Sequence, residues 1–591
     1  MAKGIRKDRP NAKSKMIKAK KTPDEVRKEK AKNAHIRMIR GVFSNLGFGR
    51  ASRVDGRNIN YNGHKGEFDD IYVFENLICV VEYTSTSDVT AHIKPKSVLF
   101  NAIQSDEREF IKFLKEQFPS VSALLGNNYH ADQLRLKVIY CSMNEYDVGV
   151  SKIVKYPVYF DYPVVKYFSK ISKIIKMSAC NEFFEYIGLF AGDVAWRGEF
   201  AAESDSSSFA GLILPEVSSN YPEGYKVFSF YVNAEALLTR AYSLRRDGWR
   251  GTNQAYQRML EGKKVEAIRK TLKEKKSVFI NNIIATLPPD TKAEGEDGRT
   301  INFNQLIKTS PAVIRLPTRA NSIGLIDGQH RLFSYYETKE DDVDIKKLRS
   351  RQNLLVTGIV YPEGATEAVK SAFEANLFLS INSNQTNASS ALRQEIDVVI
   401  NPFGQISIAR QVIQKLSTIP PLSGHVESSF YDKSGLKTSS IVSYGLVPLL
   451  KVGGDATKLN AKIQINDSLF NLFRSNNKNL VLQDRDVLNE YIQFSCSQIQ
   501  IFLNAVKANI EGARWTSDPK VKNRMLTVTI INGFLITMRR LISSGYKFQF
   551  DELKRDMNGI GNFDFSKFKS SQYNAMSIDI FNEFFKGESK T

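Results

Sequence analysis

Apolar residues recur along the first 200 residues with two different spacings. A spacing of three to four residues is typical of an amphipathic helix, and short Val- and Ile-rich runs between polar turn residues are typical of strands. These patterns predict a helix that ends near Asn45, then a hairpin, a second helix, a strand and a mostly helical stretch. The ranges after the first helix are Phe68 to Phe74, Leu77 to Tyr83, Ser97 to Gln117, Leu134 to Cys141 and 163–190. The first part is therefore predicted to be an α/β domain.

The middle of the chain alternates between strand and helix patterns. Strands are predicted at Val227 to Val232, Val278 to Leu287, Ala312 to Leu316, Ser322 to Ile326 and Leu354 to Tyr361. Helices are predicted at Ala234 to Arg245, Val265 to Lys275, Glu367 to Leu379 and Ser390 to Ile400. From Asn401 onward the helical spacing dominates. The prediction is a multidomain α/β plus α protein.

Shifts in composition divide the chain into five segments. A Ser-rich stretch followed by Gly and Pro marks a linker. The predicted segments are a basic disordered arm at 1–33, an α/β domain at 34–200, a linker at 201–224, an α+β domain at 225–400 and a helical domain at 401–591.

Positive charge is concentrated at the amino terminus. The chain of 591 residues carries a formal net charge of +20, and residues 1–40 contribute +11 of it. A block of like charge gains the free energy of counterion release only on a polyanion, which favours nucleic-acid contact over a merely solubilising tail. A nucleic acid is therefore the expected partner.

The sequence also argues against several protein classes. It has four cysteines and no CxxC pair, which excludes a disulfide framework and a zinc finger. The basic arm lacks the apolar core of a secretory signal. The longest apolar stretch, Leu526 to Met538, has 13 residues, too few to span a bilayer. We expect a cytoplasmic protein without a membrane partner.

The most informative motif runs from Asp327 to Arg331. A predicted strand leads directly into Asp327-Gly328-Gln329-His330-Arg331 and then into a predicted helix. Backbone N–H groups at a helix start favour anions, and His330 and Arg331 add donors that suit phosphate. Asp327 would cap the turn or approach a metal bound to phosphates. The alternative is a capped helix after a tight turn, because Asp-Gly turns are common.

This motif resembles the signature of the DGQHR-domain family, which includes DndB-like proteins of DNA sulfur modification. The resemblance covers roughly residues 225–400. It includes Tyr256-Gln257-Arg258, Val278-Phe279-Ile280 followed by Asn281 and Asn282, and Ile381 to Thr386, which resembles an "IN..QT" segment.

The resemblance implies a ParB/sulfiredoxin-like fold that binds ATP or another nucleoside triphosphate. Arg331 would then be the main phosphate ligand and His330 the second, with Asp327, Gly328, Gln329, Arg258, Asn382 and Gln385 in the same cleft. An alternative of equal weight is that Asn382 and Gln385 satisfy buried backbone groups around a helix start. The alternative for Arg258 is a surface residue that pairs with Glu261. Gln329 stands where sulfiredoxin has its catalytic cysteine, which argues against that chemistry. The chain contains no P-loop pattern.

A second constellation of chemistry-bearing residues lies in the first hairpin. Asp69 opens its first strand and Glu82 closes its second. Two carboxylates on adjacent strands suit Mg²⁺ and phosphodiester cleavage. The order of elements resembles the PD-(D/E)xK nuclease fold, which implies a restriction-endonuclease-like domain with Asp69 and Glu82 as catalytic metal ligands.

The hairpin departs from that motif at one position. The family has a lysine two residues after the second acid, and this chain has Thr84 there. Lys94 or Lys96, with His92 nearby, would supply the missing ammonium group from the next helix. The alternative is an inactive site in a domain that only binds DNA, and Asp70 and Glu75 are ordinary surface charges in that interpretation.

The leading hypothesis is a DNA-binding protein of a DNA-modification or phage-defence system. It combines a nucleotide-binding, or nucleotide-hydrolysing, DGQHR domain with a metal-dependent nuclease-like domain. The alternative is a non-enzymatic DndB-like transcriptional regulator or an assembly factor of a modification operon. The expected partners are DNA, a nucleotide, and a second copy of the chain or other proteins of the modification system.

Overall fold

The structure is a computed structural model. It describes residues 22–86, 88–144, 148–196, 206–219, 221–245, 249–250, 257, 259–382, 390–427, 435–452, 467–474, 482 and 484–586. The chain divides into two compact units, one of residues 1–44 and 48–165 and the other of residues 45–47 and 166–591. About half of the residues are helical, and both units contain a mixed sheet. This confirms the predicted multidomain α/β plus α class.

The first unit is built on a five-stranded sheet and a separate two-stranded ribbon. The strands of this unit are β1 (Gly49–Arg50), β2 (Asn58–Tyr61), β3 (His64–Glu67), β4 (Asp70–Phe74), β5 (Leu77–Thr84), β6 (Arg135–Ser142) and β7 (Val158–Phe160). Its helices are α1 (Pro23–Asn45), α2 (Val89–Ile93), α3 (Ser97–Ser105), α4 (Glu107–Gln117), α5 (Pro119–Leu125) and α6 (Val148–Ile153). The sheet order is β1-β4-β5-β6-β7, and β2 and β3 form a separate ribbon. The β4–β5 pair is antiparallel, and β5, β6 and β7 are parallel.

The hairpin predicted from the sequence is present as β4 and β5. All eight residues of β5 are buried, because the strand lies in the middle of the sheet. Strands covered on both faces carry near-continuous apolar runs, which matches Leu77 to Val81. Glu82 and Thr84 interrupt this run and are buried nonetheless. Buried polar groups need partners, and those of Glu82 form the site described below.

The helix predicted at 97–117 is two helices. Between α3 and α4 the carboxylate of Asp106 accepts a hydrogen bond from the Glu109 amide at 2.9 Å. An aspartate stabilises a helix start by satisfying an unpaired amide and is unfavourable in a helix interior. The chain therefore restarts at Glu107.

The prediction of a disordered arm at 1–33 is wrong for residues 23–33, because α1 begins at Pro23. Thr22 and Glu25 cap it reciprocally. The Glu25 amide donates to the Thr22 hydroxyl (3.3 Å), and the Thr22 amide donates to the Glu25 carboxylate (2.8 Å). A capping box followed by a proline at the first helical position favours this start. Residues 1–21 lie outside the described residues.

Asp70 is a structural carboxylate rather than the surface charge that the sequence allowed. It is fully buried, and its two oxygens accept from Arg40 Nε (2.8 Å) and Arg50 Nε (2.5 Å). The hydroxyl of Tyr83 donates to it as well, at 2.6 Å. Two cations and a hydroxyl thus offset the desolvation cost of this charge.

The second unit contains an eight-stranded sheet. Its strands are β8 (Ser206–Leu214), β9 (Lys226–Asn233), β10 (Ala241–Tyr242), β11 (Ile283–Leu287), β12 (Lys292–Glu294), β13 (Ser310–Pro317), β14 (Ile323–Asp327) and β15 (Asn353–Val360). The sheet order is β10-β14-β11-β15-β9-β8-β13-β12. The linker prediction at 201–224 is wrong where β8 lies, because this strand pairs with β9 on one edge and β13 on the other. Its Ser-rich start resembles a linker, but Ser206 to Ser208 pair with β13, and the pairing with β9 begins at Gly211.

Helices make up the rest of the second unit. The longer ones are α7 (Tyr162–Ile175), α8 (Cys180–Tyr186), α9 (Glu216–Ser219), α10 (Ala234–Arg240), α11 (Gly262–Lys275), α12 (Gln329–Phe333), α13 (Val343–Arg351), α14 (Glu367–Asn382), α15 (Ser390–Ile400), α16 (Gln405–Thr418), α17 (Leu469–Phe473), α18 (Arg485–Ala508), α19 (Val528–Ser543), α20 (Phe550–Asp556) and α21 (Tyr573–Phe584). One large apolar core joins α16, α18 and α19, as the helical spacing after residue 401 predicts. No helix in the described ranges has the length and apolar character needed to cross a membrane.

We predict that Asp70→Asn destabilises the first unit by about 3 kcal/mol, because it leaves Arg40 and Arg50 without their counter-charge. Hydrogen–deuterium exchange of peptides covering 68–84 in the full chain measures the loss as faster exchange. The matched control is Asp55→Asn, since Asp55 is exposed and its ion pair with Arg40 is long, at 3.7 Å. Equal exchange in both variants would contradict the structural role of Asp70.

Candidate functional site

The register of the β4–β5 hairpin places the two predicted acids opposite each other. Asp70 pairs with Val81, and the Asp69 amide donates to the Val81 carbonyl at 3.1 Å. Asp69 therefore lies at the open end of the hairpin beside Glu82. The Asp69 carboxylate also accepts from the Tyr83 amide at 2.6 Å, which fixes its orientation.

Lys96 provides the ammonium group that the hairpin lacks at Thr84. Its Nζ lies 2.5 Å from Glu82 Oε2. The lysine reaches the strand from a short 3₁₀ turn, Lys94–Lys96, that continues α2, and Asp88 caps that helix by accepting from the Ala91 amide. The structure therefore brings Asp69, Glu82 and Lys96 together. Lys94, the other lysine proposed from the sequence, is exposed.

Burial controls the protonation of this cluster. It raises the pKa of Glu82 to about 7, against the opposing effect of Lys96, and the negative charges of Asp69 and Glu67 raise it further. Burial also raises the pKa of Asp69, while the Tyr83 amide and the Lys96 charge act in the opposite direction. The cluster can thus gain or lose a proton close to neutral pH.

Tyr140 is a site residue that the sequence did not indicate. It lies on β6 directly beside Glu82 in the parallel register. Its hydroxyl is 2.7 Å from Nδ1 of His92, the histidine noted beside the two lysines. Burial and the charge of Lys96 lower the pKa of His92, so its ring is predominantly neutral at neutral pH. The sequence offered one signal, the polar residues at the end of the apolar strand β5. Only the strand order shows that Tyr140 of β6 lies beside Glu82.

The donor set fits Mg²⁺. Mg²⁺ binds through one or two carboxylates and keeps several water molecules, and Asp69 and Glu82 supply two carboxylates. Each has one oxygen beyond the one held by Tyr83 or Lys96. Within the described ranges no cluster of three or more His, Cys, Asp or Glu side chains has the arrangement of a metal site.

The predicted turn of the DGQHR motif is present between β14 and α12. Gly328 has φ +98°, a left-handed conformation that favours glycine. A Cβ there would lie 3.0 Å from Ile283 Cγ1 and 3.2 Å from Arg331 Nη2, so the position is also crowded. The helix that follows has only five residues.

Arg331 and His330 bond within the fold. Nη2 of Arg331 donates to Asp327 Oδ2 (2.9 Å) and to the Asn282 carbonyl (2.7 Å). Nε2 of His330 accepts from the Glu261 amide at 3.1 Å. Burial and the charge of Lys264 lower the pKa of His330, which keeps the ring neutral at neutral pH. These bonds hold β14, α12 and the segment before α11 together.

The buried Nε of Arg331 has no hydrogen-bond partner among the residues that the structure describes.

The remaining residues of the predicted nucleotide site are only partly described. Gln329 is the first residue of α12, and Asn382 is the last residue of α14. Arg258, Gln385 and the side chain of Asn382 lie outside what the structure describes. Gln257, beside Arg258, is buried and donates through Nε2 to the Leu325 carbonyl on β14. This segment of the motif thus contacts the strand that leads into Gly328.

The structure therefore contains two sites with the predicted residue types. The acidic site joins Asp69, Glu82 and Lys96 in the first unit, and the turn at 327–331 joins Asp327 and Arg331 in the second. No protein-family model, no curated protein and no solved structure matches this chain.

Proposed function

We propose that this chain is a DNA-directed, metal-dependent phosphodiesterase of a DNA-modification or defence system. The observation that carries the proposal is Lys96 at 2.5 Å from Glu82, on a hairpin that sets Glu82 beside Asp69. Two acids and an ammonium group at one sheet end are the groups that phosphodiester cleavage requires. In this proposal the first unit is restriction-endonuclease-like, with its lysine supplied by the next helix.

Each side chain of the acidic site has a separate task. Asp69 and Glu82 would hold a Mg²⁺ ion, which would supply Lewis-acid polarisation of the phosphate and lower the pKa of an attacking water. Lys96 neutralises the negative charge that develops on the phosphate oxygens. Burial of Glu82 strengthens these charge interactions, since the surroundings screen them less than water does.

DNA as the substrate is supported by charge. The formal net charge of +20 attracts a polyanion and speeds its association. More than half of that excess lies in residues 1–40. Binding by such an arm carries no sequence preference, so any sequence specificity would have to arise elsewhere in the chain.

The turn at 327–331 supports nucleotide binding as a second part of the proposal. It has a glycine in the left-handed conformation and an arginine whose buried Nε is unpaired among the described residues. ATP or another nucleoside triphosphate is the ligand class that the DGQHR resemblance implies. In this proposal the surrounding domain is ParB/sulfiredoxin-like.

A second candidate function is non-enzymatic DNA binding by a regulator or assembly factor. The contact between Lys96 and Glu82 favours it, because the ammonium group neutralises the carboxylate that would bind the metal. Thr84, buried at the family's lysine position, favours it as well. Binding of a specific DNA sequence with no cleavage would select this function.

We predict that wild-type protein nicks plasmid DNA with Mg²⁺ or Mn²⁺, and that Lys96→Ala lowers the rate at least about 100-fold by removing charge stabilisation. Glu82→Ala should have a similar effect. The matched control is Lys94→Ala, two residues away and exposed, which should retain the wild-type rate. Equal nicking by the wild type, Lys96→Ala and Glu82→Ala would eliminate the nuclease proposal.

We predict that Mg²⁺ binds more tightly at higher pH. The pKa of Glu82 is about 7, so its carboxyl group is mostly protonated at pH 6 and mostly ionised at pH 8. A metal ligand must be deprotonated, and the apparent affinity should therefore rise about tenfold across this range. Isothermal titration measures it, and Glu82→Gln should abolish the dependence. The same affinity at pH 6 and pH 8 would show that Glu82 is not a ligand.

We predict that one of ATP, CTP or GTP binds to the wild type and at least about tenfold more weakly to Arg331→Ala, because a charge-assisted bond to phosphate is lost. Titration calorimetry with each nucleotide measures this. Arg331→Lys tests whether charge alone suffices, and Arg299→Ala is the control because its side chain is 89% exposed. Absence of binding to the wild type would leave the turn a purely structural feature.

A further inference from the structure

The helical part of the second unit contains a cavity of about 640 Å³. This volume lies within the range of sites that enclose a small organic ligand, about 300–1,000 Å³. Two segments enclose it, one leading into α19 and the other between α20 and α21. The lining residues are Arg514, Val521, Asn523, Arg524, Met525, Thr527, Thr529, Ile530, Gly561, Asn562, Phe563, Asp564, Phe565, Ser566 and Phe568.

Three phenylalanines form an aromatic wall of this cavity. The rings of Phe563 and Phe568 are nearly parallel, with centroids 6.0 Å apart and an interplanar angle of 8°. Phe565 meets Phe563 edge to face at 4.9 Å. Nζ of Lys567 lies over the rings of Phe563 and Phe568, at 5.3 and 5.0 Å from their centroids. Such a wall suits a flat π-system, which stacks on aromatic side chains whatever its identity.

Polar groups in the lining match the edge of a nucleobase. The side-chain amides of Asn523 and Asn562 form no hydrogen bond within the part of the chain that the structure describes. Each amide presents both a donor and an acceptor, the pattern that base edges require. Asp564 adds a carboxylate, whose Oδ1 accepts from the amide and hydroxyl of Ser566.

Two arginines line the cavity. The guanidinium group of Arg524 makes no hydrogen bond or ion pair to any described residue. Arg514, by contrast, is fixed by bonds to the carbonyls of Asn523 (3.1 Å) and Gly561 (2.7 Å). Arg524 thus offers its positive charge to a phosphate, and Arg514 supports the backbone of the same loop.

We propose that this cavity binds one nucleotide unit of a nucleic acid, with its base against the phenylalanine wall and its phosphate on Arg524. The aromatic wall, the two amides and the guanidinium group of Arg524 are the three parts that such a ligand requires, and they line one cavity of suitable size. A packing defect between helices would explain the volume but not the polar edge groups or Arg524. The inference is independent of the acidic site and of the turn at 327–331. Such a cavity would contact bases, whereas the basic arm at residues 1–33 would contact only phosphates.

The test is photo-crosslinking of the full chain to a 12-nucleotide single strand that contains one 5-iododeoxyuridine. We expect the crosslinked base on peptides covering 561–568 or 514–530, as mapped by mass spectrometry. Phe568→Leu keeps an apolar side chain in place but removes the ring, and it should lower the yield at least about fivefold. Arg524→Glu should lower it at least as much, whereas the matched charge reversal Arg485→Glu, on an exposed residue outside the lining, should not.

Competition with free 5-iododeoxyuridine monophosphate and with an abasic 12-nucleotide strand separates the two sources of the ligand. If the monophosphate competes at equal nucleotide concentration, the cavity serves free nucleotides. If only base-bearing strands compete, the cavity holds a base within a strand. Crosslinks confined to other peptides, or yields that Phe568→Leu and Arg524→Glu both leave unchanged, would overturn the proposal. Glu82→Ala should leave the yield unchanged, so failure of the nuclease proposal and failure of this inference are distinguishable.

Discussion

The alternation of side chains along the β4–β5 hairpin is the constraint on which the first unit depends. Consecutive residues of a strand point to opposite faces, so Asp69 and Asp70 enter different environments. Asp70 binds Arg40 and Arg50 on one face, and Asp69 lies beside Glu82 and Lys96 on the other. Tyr83 links the faces, since its amide donates to Asp69 and its hydroxyl to Asp70. A slip of one residue in the register would exchange the structural and the chemical carboxylate.

The two buried acids of this hairpin differ in how fully their charge is compensated. Asp70 has two guanidinium partners and a hydroxyl, which offset the cost of burying its carboxylate. Glu82 has one ammonium partner and two negative neighbours, and burial raises its pKa to about 7. A carboxyl group that changes its charge near neutral pH is poorly suited to hold a fold together and well suited to exchange a proton for a metal ion. This contrast is the physical reason to place chemistry at Glu82 rather than at Asp70.

In the second unit some polar side chains are bonded within the fold and others are not. At 327–331 the arginine of the motif bonds to Asp327 and to the backbone of Asn282, and the histidine accepts from the Glu261 amide. These contacts make the motif a structural joint whether or not a nucleotide binds. In the helical part, by contrast, Arg524, Asn523 and Asn562 line a cavity, and their side chains make no hydrogen bond to any residue that the structure describes. Groups that a fold leaves unused beside a cavity are available for a ligand.

The sequence alone determined the elements whose cause is local. The hairpin and the helical region after residue 401 follow from apolar spacing, and the strand–glycine–helix turn at 327–331 follows from the residue order. The capping box at Thr22 and Glu25 is equally local, but we did not identify it from the sequence, because the basic composition of residues 1–33 predicted disorder. Tertiary structure decided which of Lys94 and Lys96 reaches Glu82, that Tyr140 lies beside it, and that β8 completes a sheet. These outcomes depend on the order of the strands and on where the helices pack, which bring together residues that are distant in the chain. No local pattern of hydrophobic and polar residues encodes such contacts.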